Sequence, residues 1–318
     1  MNATVRMILG RIGGLLVTLF LSSIVIYSAL LLTPGDPVAA LAGGARPSPE
    51  LIAQIRAEHH LDDSIVERYL QWLSGIFTGD LGRSFVYKTD VVNLIVPRLG
   101  VTLQLVLLTV VFIVAAGIGS GILAAVRGRG TDRAVGILTA IGMALPTFVV
   151  AILLIWIFAK TLGWFPVYGN GSGGLDRVWH LILPAVSLAV MYIAYVSRVT
   201  RSSMVQQLNS EHVETARVRG IPFTRILTIH VFRNASPQIL AISGSVIASL
   251  FAISAIAEQA FGLSGLGSLL TEAAAREDLP VVQIVSLLLV TIFVLLNAAA
   301  DLISAVIDPT SVAGRSSS

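Results

Sequence analysis

The amino-acid sequence predicts an all-α protein that crosses a membrane several times, and two observations carry this prediction. Hydrophobic residues make up 55% of the 318-residue chain and charged residues only 12%, whereas soluble domains contain about 25% charged residues. Several segments also stay apolar for about 20 residues, the helix length that crosses the hydrocarbon core of a bilayer. Six such segments are present, at residues 12–32, 99–126, 135–162, 179–199, 238–257 and 281–307.

The distribution of charge predicts the side of the membrane on which each connecting segment lies. If the N-terminus is inside, the inside regions contain twelve of the 21 lysines and arginines. These are Arg6 and Arg11; Arg127, Arg129 and Arg133; the arginines from Arg198 to Arg233; and Arg315. The outside segment at residues 34–98 is rich in acids instead. Because an excess of Lys and Arg in short cytoplasmic loops sets the orientation, we expect six spans with both termini in the cytoplasm.

The first apolar segment has a second interpretation. A basic start, an apolar run and Ala40-Leu41-Ala42 are also features of a cleaved signal peptide. However, residues 12–32 exceed the roughly 7–15 residues of a signal core, and Pro34 and Pro37 break the chain at the membrane surface. The sequence therefore favours a retained first helix.

Residues 34–98 are too polar to span a bilayer and are predicted to form helices on the outer face. Ser48 can cap a helix with Pro49 in its first turn, where the missing N–H is not needed. A second helix is predicted over residues 64–77, because apolar side chains recur on one of its faces. That face either packs against the membrane domain or docks another protein.

The inside stretch at residues 200–237 is basic and amphipathic, and it predicts a short helix. Ser210 can cap this helix, and the Glu211 carboxylate would face the positive end of its dipole. Gly220 suits the left-handed position past the helix end, and Pro222 prevents continuation. The small side chain of Ala216 would let another backbone approach closely.

A second amphipathic piece follows, with side chains at helical spacing: Phe223, Ile226, Leu227, His230 and Val231. From these patterns alone, the unit either docks a partner protein or lies on the bilayer surface, as basic amphipathic helices do.

The same stretch resembles the EAA loop of ABC-importer permeases. The resemblance rests on Glu214-Thr215-Ala216-Arg217-Val218-Arg219-Gly220, in which Glu, a small residue and Ala are followed by three variable residues and Gly. Arg217, His230, Arg233, Asn234 and Ala235 extend it toward the di- and oligopeptide (and nickel) permeases, although the His230-Val231-Phe232-Arg233 run departs from the general importer pattern. In that family the loop is a coupling helix that lies in a groove of a separate ATPase subunit. The resemblance thus implies an ATPase contact formed by Glu211, Glu214, Thr215, Ala216, Arg217 and Gly220.

Further family-like motifs cover nearly the whole chain. They are Pro34-Gly35-Asp36-Pro37 and the runs at residues 79–84, 258–267, 276–283 and 308–309. Gly100 and Thr310 stand where the family usually has Pro and Arg. The resemblance implies a type I importer permease fold. Residues 1–33 would be the cytoplasmic N-terminus and first helix, 34–98 an outer-face segment, 99–307 the transmembrane domain with its coupling loop at 200–237, and 308–318 a cytoplasmic tail.

Placing a polar side chain within a membrane span costs free energy, so such residues invite a functional interpretation. Gln104, Asn297 and Asp301 lie within spans, and Glu258 lies at an outer end. They are candidates for the translocation path. The alternative is structural, because such groups also hydrogen-bond between helices.

The sequence offers no catalytic motif. A phosphate-binding loop needs Gly-Lys-Ser/Thr, but Lys88 and Lys160 follow Tyr and Ala. His-Glu-x-x-His and Gly-x-Ser-x-Gly are absent from the sequence, as is cysteine. His59 and His60 are adjacent, and His180 opens the fourth span, so no metal site is expected. The inside arginines are explained by membrane orientation and do not indicate nucleic-acid binding.

The resemblance implies a non-catalytic permease subunit of an ATP-driven importer in a bacterial plasma (inner) membrane, with di- or oligopeptides as the expected substrates. Expected partners are a homologous second permease, two ABC ATPase subunits or domains that use ATP and Mg, an extracytoplasmic substrate-binding protein and membrane lipid. No cofactor is expected on this chain. Nickel- or glutathione-type import is the alternative within the family. A self-sufficient channel or ion-coupled carrier is the alternative outside it.

Overall fold

A computed structural model describes residues 3–31, 49, 53 and 63–307. Within these residues the chain is helical, and its only β-type pairing is an isolated bridge between Arg83 and Asp90. The all-α prediction is confirmed. Ser48 and most of the helix predicted to follow it, the residues of the alternative cleavage site and the tail at 308–318 fall outside the part of the chain that the structure describes.

By its internal contacts the chain forms two compact units. Unit 1 contains residues 1–100 and 268–291, and unit 2 contains residues 101–267 and 292–318. The helices are α1 (Ala3–Leu31), α2 (Ile65–Thr78), α3 (Val91–Val126), α4 (Arg129–Ala144), α5 (Thr147–Thr161), α6 (Gly174–Leu208), α7 (Glu211–Val218), α8 (Phe223–Ala260), α9 (Leu266–Ala275) and α10 (Leu279–Ile307).

In unit 1, α2 packs on α1 through aromatic side chains. The Tyr27 ring on α1 lies 5.5 Å from the ring of Tyr69 and 5.4 Å from that of Trp72, and the hydroxyls of Ser23 and Tyr69 are 2.8 Å apart. Ser64 caps α2 in a capping box with Glu67. The predicted helix over residues 64–77 is therefore confirmed, and part of its apolar face packs against the first helix.

In unit 2, α6 is the central helix, contacted by α3, α4, α5 and α8. Glycines on α3 and α4 allow the close approach. A Cβ on Gly121 would lie 2.6 Å from the Ser197 carbonyl oxygen and from Thr200, and one on Gly142 would lie 3.3 Å from Ala194. Gly121 of α3 and Gly142 of α4 thus serve helix packing.

The structure does not confirm six as the number of spans. Among the described residues, four helices are long and apolar enough to cross a membrane: Val91–Val126, Gly174–Leu208, Phe223–Ala260 and Leu279–Ala300. The expected single helix over residues 135–162 is corrected, because α4 and α5 meet at 103°. Leu145 is extended, with φ −84° and ψ 120°, since the ring of Pro146 disfavours a helical residue before it. The described apolar part of α1, Ile12–Ser28, is shorter than a full span.

Helix bounds also differ from the prediction on both sides of the inside stretch. α6 continues to Leu208, and α8 begins at Phe223 with a π-helical turn over Ile226–Phe232. Residues 200–237 are thus mostly extensions of two long helices, and only α7 and its flanking turns form the connection. At the other end, α3 begins at Val91 and contains Pro97, so it starts earlier than expected.

Candidate functional site

The candidate site centres on α7, a helix of eight residues with two acids in its first turn and Arg217 in its last. Each charge faces the end of the helix dipole of opposite sign. Ser210 occupies the N-cap position, but its side chain does not cap the helix. Its hydroxyl instead donates to the Gln207 carbonyl oxygen of α6, so the predicted capping bond is wrong.

The end of α7 is set by Gly220, as predicted. Its φ is +71°, the left-handed region that favours glycine. The Gly220 N–H donates to the Arg217 carbonyl at 3.0 Å, and the Ile221 N–H donates to the Ala216 carbonyl at 3.2 Å. This pair of bonds is a Schellman motif, which satisfies carbonyls left open at a helix end. No atom lies within 4 Å of a Cβ placed on Gly220, so the demand for glycine is conformational.

One face of α7 is buried within unit 2. Val213 and Ala216, three residues apart, belong to a buried cluster with Met204, Ile226, Val231, Ala235 and Ile239. Ala216 is only 4% exposed. Its small size therefore serves packing within this chain, and the idea that Ala216 is open to a second protein is not supported by its position.

The opposite face of α7 is exposed. It presents Glu211, Glu214, Thr215, Arg217, Val218, Arg219 and Gly220. Val218 is 85% exposed at the end of the helix, an apolar side chain among charged ones. Such a face is suited to a partner that supplies both an apolar contact and complementary charge.

Polar groups tie α7 to the start of α8. The His212 Nε2 atom lies 3.3 Å from the His230 carbonyl oxygen and 3.2 Å from the Asn234 Nδ2 atom. Asn234 also donates to the His230 carbonyl at 2.9 Å. His212, the His230 carbonyl and Asn234 thus fix α7 against α8. Helical spacing and the resemblance singled out His230 and the resemblance alone singled out Asn234, whereas the role of His212 gave no signal in the sequence.

The four polar candidates for a translocation path are not brought together by the described contacts. Gln104 is exposed on α3. Asn297 is partly exposed, and its amide donates to the Phe293 carbonyl of its own helix at 2.9 Å. Asp301 lies in α10, and its side chain falls outside the description.

Glu258 is fully buried and accepts a hydrogen bond from the Thr102 hydroxyl at 2.7 Å. The same hydroxyl accepts from the Leu266 N–H at 2.8 Å. Gly265 packs directly on this carboxylate, where any Cβ would collide with it. Glu258 therefore belongs to a buried hydrogen-bonded group at the turn between α8 and α9.

Unit 1 contains a second polar cluster, which sequence reasoning missed. Asp278, fully buried, accepts hydrogen bonds from the Ser84 hydroxyl, from the Phe85 N–H at 3.0 Å and from the Val86 N–H at 3.3 Å. The runs at 79–84 and 276–283 were each noted in the sequence, but nothing in it joins residues almost 200 positions apart. Next to this cluster, burial raises the pKa of the Tyr87 phenol, and Glu272 beside it acts in the same direction.

No group of three or more His, Cys, Asp or Glu side chains that could hold a metal ion occurs among the residues whose placement is described.

Comparison with known proteins gives consistent matches. Residues 117–311 match the family described as binding-protein-dependent transport system inner membrane component, and residues 4–106 match its N-terminal region. A putative peptide transport system permease protein of Brucella abortus is 38% identical over 95% of this chain and 98% of its own length. The dipeptide transport system permease protein DppB of Escherichia coli K12 is 33% identical over 96% of this chain and 98% of its own length.

A glutathione transport system permease protein, GsiC of Escherichia coli O6:H1, is also 33% identical, over 95% of this chain and 97% of its own length. Among solved structures, a chain of the inward-facing MetNI methionine ABC transporter matches 68% of this chain and 96% of its own length, with a TM-score of 0.57 and 20% identity. That likeness supports the fold.

Proposed function

Because the chain belongs to the family of binding-protein-dependent transport system inner membrane components, we propose that it is a permease subunit of an ATP-driven importer for di- or oligopeptides. The peptide substrate is supported by relatives named for peptide and dipeptide transport. The relative named for glutathione transport keeps that substrate as the second candidate. The chain would form half of the translocation path beside a homologous second permease and take substrate from an extracytoplasmic binding protein.

The observation that carries the proposal is the two-sided structure of α7. Its buried face joins α7 to α6 and α8, and its exposed face offers Glu214, Arg217 and Val218. A displacement imposed on the exposed face by a partner ATPase would therefore be passed to two long helices. ATP and Mg would be bound by the partner, because this chain has no phosphate-binding loop.

The bilayer-surface alternative is less well supported. It needs Phe223, Ile226 and Leu227 as apolar anchors. Ile226 is buried in the same cluster as Ala216, and Leu227 packs against that cluster, so only Phe223 remains available to lipid. The charge distribution supports placing α7 and both termini in the cytoplasm of a bacterial inner-membrane protein.

The test uses the purified complex with its ATPase subunits in liposomes. We expect Val218→Arg and Arg217→Glu to reduce substrate-stimulated ATP hydrolysis and peptide uptake by roughly tenfold, the effect of losing a well-packed or charge-paired interface contact. Arg129→Glu is the matched control, since Arg129 is an exposed arginine of α4 outside α7. It should keep near-normal activity.

Two results would count against the proposal. Near-normal coupling in both α7 variants, combined with a large loss in Phe223→Ser, would favour a helix that lies on lipid. Peptide uptake by liposomes that contain this chain alone would indicate a self-sufficient carrier.

A further inference from the structure

A cleft between α4 and α6 is not used by the function proposed above. It has a volume of about 300 Å³ and is lined by residues of both helices, including Asp132, Gly136, Thr139, Arg198 and Arg201. This volume is at the lower end of the range for small-ligand pockets. It suits a headgroup rather than a whole lipid.

The two arginines of the cleft are held differently. The guanidinium of Arg201 is paired with Asp132 through two parallel contacts, the bidentate arrangement that arginine and carboxylate favour. Arg198 donates its Nε hydrogen to the Thr139 hydroxyl at 3.3 Å, and that hydroxyl donates to the Gly136 carbonyl at 3.0 Å. Among the described residues, no carboxylate pairs with Arg198. Arg198 is therefore a cation of the cleft to which the described residues supply one side-chain hydrogen bond and no carboxylate.

The depth of the cleft matches a membrane interface. Trp179, near the start of α6, stacks on Phe165 with ring centroids 4.6 Å apart, and aromatic rings of this kind collect at membrane interfaces. Arg198 lies nineteen residues further along α6, which is about 28 Å of helix. Because the hydrocarbon core is about 30 Å thick, Arg198 lies near the interface opposite to Trp179.

An apolar surface continues from the cleft into the membrane. α4 runs antiparallel to α6, since Asp132 meets Arg201 while Gly142 meets Ala194. Met191 and Tyr195 are exposed on α6, seven and three residues before Arg198, so they lie on the same face of the helix as the arginine. They provide an apolar track beside the charged cleft.

We infer that this cleft binds an anionic phospholipid, with the phosphate-bearing headgroup at Arg198 and the acyl chains along the exposed apolar face of α6. Anionic lipids are concentrated in the cytoplasmic leaflet, and basic clefts between transmembrane helices on that side bind their headgroups. The assignment of the leaflet rests on the orientation in the proposed function. The binding of the lipid does not depend on that orientation, so the lipid proposal and the proposed function can fail separately.

The test is native mass spectrometry of the intact transport complex, released from detergent with phosphatidylglycerol or with phosphatidylcholine. We expect the wild-type complex to retain more phosphatidylglycerol, and Arg198→Gln to lower that retention about fivefold, the factor for one cation beside an anionic surface. Gly136→Leu should lower the retention of phosphatidylglycerol similarly. This substitution keeps every charge and fills open space in the cleft, because a Cβ on Gly136 meets no atom within 4 Å.

The matched control is Arg133→Gln, which removes an exposed arginine of α4 that does not line the cleft. Its retention of phosphatidylglycerol should equal that of the wild type. An equal loss in Arg133→Gln would overturn the site in favour of diffuse attraction, and equal retention of phosphatidylcholine would exclude recognition of a charged headgroup. Displacement of phosphatidylglycerol by millimolar inorganic phosphate, with no effect of Gly136→Leu, would assign the cleft to a free anion instead.

Discussion

Two short connecting segments of the molecule are held in place in different ways. α7 is fixed by apolar packing of Val213 and Ala216, by the backbone bonds of its final turn and by the contacts of His212 with the start of α8. In the loop at residues 79–90, the turn from Ser84 to Val86 is fixed by one buried carboxylate, Asp278, which takes three hydrogen bonds.

As a result, α7 keeps an exposed charged face, whereas polar groups of the 79–90 loop are hydrogen-bonded within the chain. Apolar packing leaves the charged side of α7 available to a partner. In the 79–90 loop, by contrast, Arg83 donates to the Lys88 carbonyl at 2.8 and 3.1 Å, and the Val91 N–H bonds back to the Gly82 carbonyl at 3.0 Å. The first arrangement suits transmission of movement, and the second suits a fixed anchor for the starts of α3 and α10.

The largest effect is expected from Ala216→Trp, which tests whether α7 is held by packing. An indole cannot fit a position that is 4% exposed, and overpacking a core costs about 3 kcal/mol or more when the added group is this large. Loss of assembled complex should follow, measured by the yield and subunit stoichiometry after purification.

Ala216→Ser is the control and should assemble normally, because it adds one atom that can bond to a carbonyl of its own helix. A well-assembled Ala216→Trp complex that only fails to couple hydrolysis to uptake would show that Ala216 faces the partner instead.

A smaller effect is expected from Asp278→Asn, which tests whether the 79–90 loop depends on charge. The substitution keeps the shape of the side chain, but the amide has no negative charge and its NH₂ group would face hydrogen-bond donors. About 2 kcal/mol of charge-assisted hydrogen bonding should therefore be lost. Limited proteolysis should then cleave the loop several times faster. Glu277→Gln makes the same chemical change at the neighbouring exposed residue. Equal protease sensitivity of the two variants would argue against a buried anchor.

The smallest of the three effects is expected from Gly220→Val. The left-handed conformation costs a residue with Cβ roughly 1–2 kcal/mol, and the site is open, so the complex should assemble with reduced coupling. Gly220→Asn should be nearly silent, because Asn tolerates this conformation. The ratio of uptake to ATP hydrolysis is the measurement, and normal coupling in Gly220→Val would contradict a strict requirement for this turn.

The sequence was sufficient for features that depend on local pattern. Helix α2, the left-handed Gly220 and the all-α class follow from spacing, capping and composition, and the structure agrees with each. It was insufficient where a residue's role depends on distant partners. The Ser210 hydroxyl could either accept from a backbone N–H of α7 or donate to a carbonyl of α6. In the structure it donates to the Gln207 carbonyl.

Asp278 illustrates the same limit, since its donors come from residues 84–86. Pro146 is a sequence signal for the bend between α4 and α5. Because the chain is apolar on both sides of Pro146, the pattern instead predicted one span over residues 135–162. Ala216 was recognised as a position of close approach, and only the fold shows that the approaching atoms belong to the same chain.

The π-helical turn at Ile226–Phe232 has a consequence for chain length and for the comparison of related sequences. Ile226 and Val231 are five residues apart and both buried, although five residues of an α-helix would place them about 140° apart around the axis. The wider turn, closed by bonds five residues apart, brings them to one side. A relative one residue shorter here can form an ordinary α-turn and keep every face of α8 after Arg233 unchanged. A gap of one position at this point in an alignment is therefore compatible with the same packing, whereas a gap in α6 would rotate a buried helix.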